Sequence, residues 1–178
     1  AIIDSGIDLN HPDLKENIIQ GRNFVNKLTP NNPEDDNGHG THCAGIAGAI
    51  GNNAKGIAGI AWKCKIIPVK VLNEEGMGTL ADISDGISWA ADSSADILSL
   101  SLGIDIEVDA DGDGNPDIDK NDLKPLEDAC NYAWNAGAIV VAAAGNAGRD
   151  AKNTYPAAYE KVISVGACTQ DTGRPWFS

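Results

Sequence analysis

Short apolar runs alternate with stretches of helical spacing along most of the chain. Four runs have the length of a strand and are rich in branched residues, at 66–72, 97–102, 138–143 and 162–165. Continuous apolar runs of this kind are typical of parallel strands that are buried on both faces. The first residues, 1–3, have the same character and are interpreted as the end of a strand.

Helical patterns connect these runs. The spacing of apolar residues predicts one helix from Thr79 to about Asp92. A second helix is predicted from Leu123 to Trp134, with Gly137 as its C-terminal cap. Strands that alternate with helices favour a parallel sheet joined by right-handed crossovers. The pattern therefore predicts an α/β fold, with a parallel β-sheet flanked by helices on both faces in three layers.

Candidate functional residues follow the predicted strands. Asp4 comes directly after 1–3, Ser101-Leu102-Gly103 closes a second strand, and Gly145-Asn146 follows a third. In open α/β sheets, ligands bind outside the carboxyl ends of the strands. We therefore expect these three strand ends to meet at one rim.

A glycine-rich string surrounds His39. Residues 37–45 read Asn-Gly-His-Gly-Thr-His-Cys-Ala-Gly, so glycines on both sides leave the imidazole of His39 accessible, as a general base requires. The carboxylate of Asp4 can hold one ring nitrogen of such a base, although Asp-Ser-Gly alone is also common turn chemistry. His42 suggests a zinc pair with His39, but no His-Glu-x-x-His string is present. We expect His42 to be a buried structural histidine.

Asn146 is a candidate amide donor. It follows a run of small apolar residues and lies between Gly145 and Gly148. A side-chain amide in such a place can stabilise a developing oxyanion, although an isolated Gly-Asn-x-Gly would be only a turn.

Composition and charge narrow the classes of function. The 178 residues are 42% hydrophobic and 22% charged, as in an ordinary globular domain with a buried core. No apolar stretch reaches the roughly 20 residues of a membrane helix. The net charge of −13 argues against a nucleic-acid partner, which needs a basic surface.

Four cysteines occur without a CxxC pair. They are Cys43, Cys64, Cys130 and Cys168. Their small or apolar neighbours favour buried free thiols, with a single disulfide as the alternative.

Much of the negative charge lies between Ile104 and Asp122, where eight acidic residues accompany one lysine. Within this segment, acids repeat at every second position and Gly114 lies at the expected bend, as in the first half of an EF-hand loop. A true EF-hand is not supported, because the twelfth position is Lys120 and not a bidentate glutamate. We expect a calcium site here, with a merely solvated loop as the alternative. The candidate ligands are Asp109, Asp111, Asp113, Asp117, Asp119 and Asp122.

These strings together resemble the subtilisin-like serine proteases, the subtilases, over essentially all 178 residues. The order of Asp before His fits the Asp, His, Ser order of that family. The resemblance implies that Asp4 orients the base, that His39 is the general base and then acid, and that Asn146 is the oxyanion donor. No Gly-Thr-Ser-Met-Ala string occurs. We therefore expect 1–178 to be a partial peptidase S8 catalytic domain, incomplete at both ends, with an acidic insertion at about 104–122 and its serine beyond residue 178.

The resemblance also implies a substrate cleft. Ser101-Leu102-Gly103 resembles the strand that pairs with the substrate backbone, and Gly76-Met77-Gly78 resembles the opposing strand. A peptide between two such edges would be held by main-chain hydrogen bonds. Further implied contacts are Ala144, Gly145 and Thr154, with Tyr155-Pro156 similar to the family's cis-proline. Ala147, in place of a glutamate, favours an apolar or aromatic residue before the cleaved bond.

A second calcium site and a reactive thiol are implied by the resemblance alone. Asp13 would join the loop at 50–57. The implied ligands are the carbonyls of Ile50, Lys55 and Ile57 and the side chain of Asn53. Cys43, as in some subtilases, implies sensitivity to heavy metals or thiol reagents.

The expected protein is a secreted, monomeric, calcium-stabilised endopeptidase that acts on polypeptides, with no nucleic-acid or membrane partner. The 178 residues alone are expected to be inactive. The alternative is a non-catalytic peptide- or calcium-binding module of the same fold, such as a natural pseudoenzyme. A nucleotide-binding protein is disfavoured because no Gly-x-Gly-x-x-Gly turn follows the first strand.

Overall fold

A computed structural model describes residues 1–109, 111–113 and 117–178. Its strands are β1 (Ile2–Asp4), β2 (Arg22–Asn23), β3 (Pro68–Lys70), β4 (Ile97–Leu100), β5 (Ile104–Asp105), β6 (Ile139–Ala143), β7 (Thr154–Tyr155) and β8 (Val162–Val165). Its α-helices are α1 (His39–Gly48), α2 (Leu80–Asp92) and α3 (Lys124–Asn135). Short 3-10 helices cover Lys120–Leu123 and Ala151–Asn153.

Six strands form one sheet in the order β2-β3-β1-β4-β6-β8, and each neighbouring pair is parallel. The register places Ile2 opposite Ser99, and Val141 between Ser99 and Ile163. The predicted parallel sheet is therefore confirmed. The three two-residue strands β2, β5 and β7 were not predicted, because two residues carry too little pattern to be recognised.

The ends of the two longer helices follow from local chemistry. Thr79 precedes α2, and its hydroxyl accepts a hydrogen bond from the Asp82 N–H at 3.0 Å, as an N-cap residue does. Gly137 follows α3 with a φ of 96°, a left-handed conformation that ends helices. Both boundaries agree with the sequence-based prediction.

Helices pack on both faces of the sheet around β1. Ile2 lies on the face of α1, in a buried cluster with Ala44 and Ile66. The next residue, Ile3, points to the other face and lies in the larger cluster under α2 and α3. Alternation along β1 thus assigns successive side chains to two separate cores.

In the described part of the chain, β4 and β6 are covered on one face only, and in β8 Val162 alone is buried. Leu98 and Val140 are fully buried beneath α2 and α3, whereas Ile97 and Ile163 are each 53% exposed on the other face. The prediction of strands buried on both faces is wrong for these three, because α1, the helix on that face, packs against β1.

A small antiparallel pair lies beside the main sheet. In it β5 pairs with β7, with Ile104 opposite Tyr155 and Asp105 opposite Thr154. The Tyr155-Pro156 peptide bond is cis, in agreement with the sequence-based expectation. None of the helices among the described residues is long and apolar enough to cross a membrane.

Candidate active site

Asp4 is the last residue of β1 and is fully buried. Its Oδ1 lies 2.7 Å from Nδ1 of His39 and accepts the N–H of Ser5, also at 2.7 Å. Its Oδ2 has no hydrogen-bond partner among the described residues. The carboxylate is therefore held by one oxygen, and that oxygen faces the imidazole.

His39 is the first residue of α1, and its side chain is 49% exposed. The glycine that follows explains how the helix start comes so near to β1. A Cβ on Gly40 would lie 2.1 Å from the carbonyl oxygen of Gly6 and 3.1 Å from Cβ of Asp4. Only glycine allows this approach, which brings the imidazole against the carboxylate while its outer edge remains accessible.

Asn146 follows the carboxyl end of β6 and is exposed at the same rim. Gly145 before it has a φ of 98°, which redirects the chain out of the sheet. A Cβ at Gly145 would meet the Thr154 side chain at 3.2 Å. The turn therefore packs directly on β7.

A cleft of about 640 Å³ lies at this rim, and both His39 and Asn146 line it. The two predicted substrate edges, 76–78 and 101–103, line it as well. Gly145, Ala147 and Thr154 complete this part of the wall. The strand ends that the sequence placed at one rim therefore do converge.

Ala144 is the predicted substrate-binding residue that does not line this cleft. Its N–H donates to the carbonyl of Val165 at 2.9 Å, which extends the pairing of β6 with β8. Ala144 thus continues the strand pairing, and the next residue, Gly145, is the one that lines the cleft.

The cysteines and His42 differ partly from expectation. All four thiols are free, but only Cys130 is buried, while Cys168 is exposed and Cys43 and Cys64 are half-buried. Cys168 lies in the exposed segment after β8, so the prediction of a buried thiol is wrong there.

His42 is exposed, so the prediction of a buried structural histidine is also wrong. Gly40, Ala44 and Gly48 form the buried face of α1, and His42 lies on the opposite face.

Cys43 lies beside the catalytic candidates. Its Sγ is 4.0 Å from Nδ1 of His39. Burial raises the pKa of the thiol, and the charge of Asp4 adds to that effect while a hydrogen bond with Ser101 opposes it. Cys43 is therefore protonated at neutral pH.

In the acidic segment, carboxylate oxygens of Asp109, Asp111 and Asp117 lie within 4.8 Å of one another, and all three residues are exposed. Asp113 lies nearby, and its N–H donates to Oδ1 of Asp109 at 3.1 Å. A hard cation prefers such a group of oxygens. The predicted bend at Gly114 lies outside the described residues.

The two remaining acids of that segment take part in local structure. Asp119 precedes a 3-10 helix, and its carboxylate accepts the backbone and side-chain N–H groups of Asn121, each at 2.8 Å. The N–H of Asp122 donates to the carbonyl of Asp119 at 2.9 Å. Their carboxylates are not part of the three-residue group.

Asp13 meets the loop at 50–57, as the resemblance implies. Its carboxylate accepts the side-chain amide of Asn53 at 2.5 Å and the N–H of Ile57 at 3.1 Å, and its carbonyl accepts the N–H of Ile50. The hydrogen bond from Asn53 lowers the pKa of Asp13. The side-chain oxygen of Asn53 accepts the N–H of Lys55. The loop is thus closed by its own donors in this arrangement, and the second calcium site stays a prediction.

The sequence analysis missed two buried or half-buried charged residues near Asp4 and His39, which together form a dyad. Asp35 accepts hydrogen bonds from Ser5 and from the first turn of α1. Lys70 is only 3% exposed and donates to Ser5 O at 2.6 Å, Asp36 Oδ1 at 2.5 Å and Leu72 O at 3.0 Å. A lysine inside an apolar strand was the available signal, because a buried charge needs a partner.

Comparisons with known proteins identify relatives of this chain. The model of the subtilase family, Peptidase_S8, matches residues 1–178. Thermitase of Thermoactinomyces vulgaris is 46% identical over 178 residues, which are 100% of this chain and 57% of that protein. The major intracellular serine protease of Bacillus subtilis (strain 168) is 40% identical over 174 residues, 94% of this chain and 50% of that protein.

A solved structure is similar as well. The fold superposes on Sphericase with a TM-score of 0.78 and 34% identity, covering 96% of this chain and 54% of that one. The chain therefore spans between half and three fifths of the length of these three relatives.

Proposed function

Since the chain belongs to the subtilase family, we propose that it forms part of a serine endopeptidase whose catalytic triad contains Asp4 and His39. One observation carries this proposal. A fully buried carboxylate lies 2.7 Å from the ring of a half-exposed histidine, and that histidine lines the cleft. The third member of the triad would be a serine beyond residue 178.

The geometry supports a general-base role for His39. Because Asp4 engages Nδ1, the other nitrogen, Nε2, is the one available to accept the proton of a serine hydroxyl. The hydroxyl oxygen then attacks the peptide carbonyl, and His39 returns the proton to the leaving amine. Asp4 stabilises the imidazolium that exists between these two transfers.

The cleft supports the binding of an extended polypeptide. The edges at 76–78 and 101–103 flank it and can pair with a substrate backbone on both sides. Asn146 lies at the same rim, where its side-chain amide can donate to the oxyanion of the tetrahedral intermediate. Apolar or aromatic side chains before the cleaved bond remain the predicted preference.

We also propose that calcium stabilises the acidic segment. Asp109, Asp111 and Asp117 would supply carboxylate oxygens, and Asp113, Asp119 and Asp122 lie close in the chain. Bound calcium would neutralise the local negative charge. The support is the approach of three carboxylates to within 4.8 Å at the surface, where like charges otherwise repel.

We also propose that the protein is located outside the cell, by resemblance to secreted enzymes. One of the relatives above is named an intracellular protease, so membership of the family alone does not select a compartment. Fractionation of the producing cells, followed by detection of the chain in medium and cytosol, tests this part.

The test of the catalytic proposal uses the complete protein that carries this chain. A fluorophosphonate probe labels an activated serine, and a quenched peptide substrate reports hydrolysis. We expect one labelled serine, with labelling and hydrolysis both lost in His39→Ala. Peptide binding without labelling would overturn the protease and support the non-catalytic module.

A further inference from the structure

Helix α1, which carries His39, begins without a cap of its own. The N-cap position is Gly38, in a left-handed conformation with a φ of 101°, and it has no side chain to accept a hydrogen bond. The first turn contains no acidic residue. Since the first N–H groups of a helix have no partner within it, they need acceptors from elsewhere.

Three side chains outside the helix supply those acceptors. The N–H of His39 donates to Oδ1 of Asn37 at 3.1 Å, that of Gly40 to Oγ of Ser5 at 2.9 Å, and that of Thr41 to Oδ2 of Asp35 at 3.0 Å. Each N–H of the first turn thus has a separate acceptor. One of these acceptors, Ser5, comes from the turn after β1, so the helix start is tied to the strand that carries Asp4.

Asp35 organises this set of contacts. Its Oδ1 accepts the hydroxyl of Ser5 at 2.8 Å and the N–H groups of Asn37 and Gly38 at 3.0 and 2.9 Å. Its Oδ2 accepts both the hydroxyl and the N–H of Thr41, at 2.5 and 3.0 Å. Partial burial opposes ionisation of Asp35, but these donors outweigh it and lower its pKa to about 2. The carboxylate is therefore charged at neutral pH, which strengthens each of the five bonds.

Ser5 passes the effect of Asp35 to Asp4. Its N–H donates to Oδ1 of Asp4 at 2.7 Å, its hydroxyl donates to Asp35, and its carbonyl accepts Nζ of Lys70 at 2.6 Å. Three atoms of one residue are thus fixed by three different partners. The oxygen of Asp4 that receives the Ser5 N–H is the same oxygen that faces His39.

We propose that Asp35 is the positioning residue of the Asp4–His39 pair. Through Ser5 it holds the end of β1 that carries Asp4, and through Thr41 it holds the start of α1 that carries His39. It is hydrogen-bonded to neither catalytic candidate. The inference rests on the proposed function for the catalytic meaning of the pair, whereas the contact between the two side chains is a property of the chain itself.

Two readouts in the complete protein test this inference. Proton NMR detects the hydrogen between Nδ1 of His39 and the carboxylate of Asp4 as a resonance far downfield of the amides. We expect Asp35→Asn to remove or broaden this resonance, because an amide NH2 then faces the N–H of Thr41. Glu34→Gln removes the same charge one position earlier in the chain and is expected to leave the resonance in place.

Turnover is the second readout. In Asp35→Asn we expect kcat to fall roughly 10- to 100-fold with KM within about twofold of the parent, because misplacement of the base by a fraction of an ångström affects chemistry and leaves the peptide edges intact. A merely structural role for Asp35 predicts a lower melting temperature with the resonance and kcat of the folded protein unchanged. That result would overturn the proposal.

The design separates this inference from the proposed function. If the parent protein hydrolyses no peptide, the protease proposal fails, and the downfield resonance still tests the role of Asp35. If Asp35→Asn does not fold, Ser5→Ala takes its place, since it breaks the link to β1 and leaves the contact of Asp35 with Thr41. An unaltered resonance in folded Ser5→Ala would contradict the proposed path through Ser5.

Discussion

Carboxylates occur in two regions of this molecule under opposite conditions. At the cleft, Asp4 is fully buried and Asp35 accepts hydrogen bonds from four different residues. In the acidic segment, Asp109, Asp111 and Asp117 are exposed and lie close to one another. Donors from separate elements of the fold hold the first group away from solvent, whereas the second group accepts N–H groups of its own loop and concentrates negative charge at the surface. The same side chain therefore serves positioning in one region and favours a cation in the other.

The two regions also differ in how they are assembled. Asp4 and His39 are 35 positions apart and meet because a strand end and a helix start converge in the fold. Asp109, Asp111 and Asp117 are close because they are close in sequence. Function at the cleft should consequently be lost with small changes of tertiary structure, while function in the acidic segment should depend on its local charge.

The largest expected effect comes from removing the dyad. In the complete protein, Asp4→Asn should lower kcat by roughly 10⁴-fold because the base is misoriented, and His39→Ala by roughly 10⁶-fold because the base is missing. Asp111→Asn removes an acid from the acidic segment. It should change kcat by less than about twofold at saturating calcium, because Asp111 takes no part in the proposed reaction. Steady-state kinetics on a peptide substrate measures all three. Equal losses in Asp4→Asn and Asp111→Asn would abolish the distinction between the regions.

The next effect concerns stability. Asp35→Ala leaves several N–H and O–H donors without their acceptor and should lower the free energy of unfolding by about 1–3 kcal/mol at neutral pH. Urea denaturation measures this difference. Asp111→Asn without calcium should be neutral or slightly stabilising, because it relieves repulsion among neighbouring acids.

The contribution of Asp35 to the free energy of unfolding should also depend on pH. Because donors lower the pKa of folded Asp35 to about 2, below an ordinary value of about 3.9, its contribution is complete above pH of about 4 and is lost as the pH falls towards 2. Asp35→Ala should therefore flatten the stability profile in this window. A parallel offset of the two profiles across the whole range would show that ionisation of Asp35 does not contribute.

The fold was largely predictable because its strands and helices carry strong patterns. Thr79 and Gly137 gave helix boundaries from local chemistry alone, and the apolar runs located the longer strands, although the run at 66–72 exceeds β3 (Pro68–Lys70) at both ends. The exposed face of β4, β6 and β8 was not predictable. An apolar run such as 138–143 shows that both faces of a strand are apolar, but it does not show which element packs on each face. The exposure of His42 follows from the same gap, since its environment depends on what lies beside α1.

The candidate site was predictable only in part, for a different reason. Asp4, His39 and Asn146 occur in strings whose residue types match a known chemistry. Asp35 occurs in no such string, and its role arises from five hydrogen bonds that exist only once β1 and α1 are in contact. Positioning residues of this kind are recognised from the hydrogen bonds of the folded structure, because they leave no motif in the sequence.

Calcium should act on the acidic segment with a smaller effect. Millimolar calcium should raise the melting temperature of the complete protein, and saturation to 100 times Kd corresponds to about 2.7 kcal/mol for one site. Asp111→Asn should reduce the rise, whereas Asp85→Asn, an exposed acid on α2, should not. An equal rise in the parent and in Asp111→Asn would place the calcium effect elsewhere, with the loop at 50–57 and Asp13 as the next region to change.

The smallest effect concerns Cys43, which lies next to His39 but takes no part in the proposed reaction. Since burial raises the pKa of its thiol, the reactive thiolate is scarce at neutral pH, and iodoacetamide should modify Cys43 more slowly than the exposed Cys168. The rate at Cys43 should rise as the pH increases, and mass spectrometry of each peptide follows both sites in one sample. Modification should lower activity, because the added group lies next to His39, whose Nδ1 is 4.0 Å from the sulfur. Full activity after complete modification of Cys43 would overturn the expected sensitivity of the enzyme to thiol reagents.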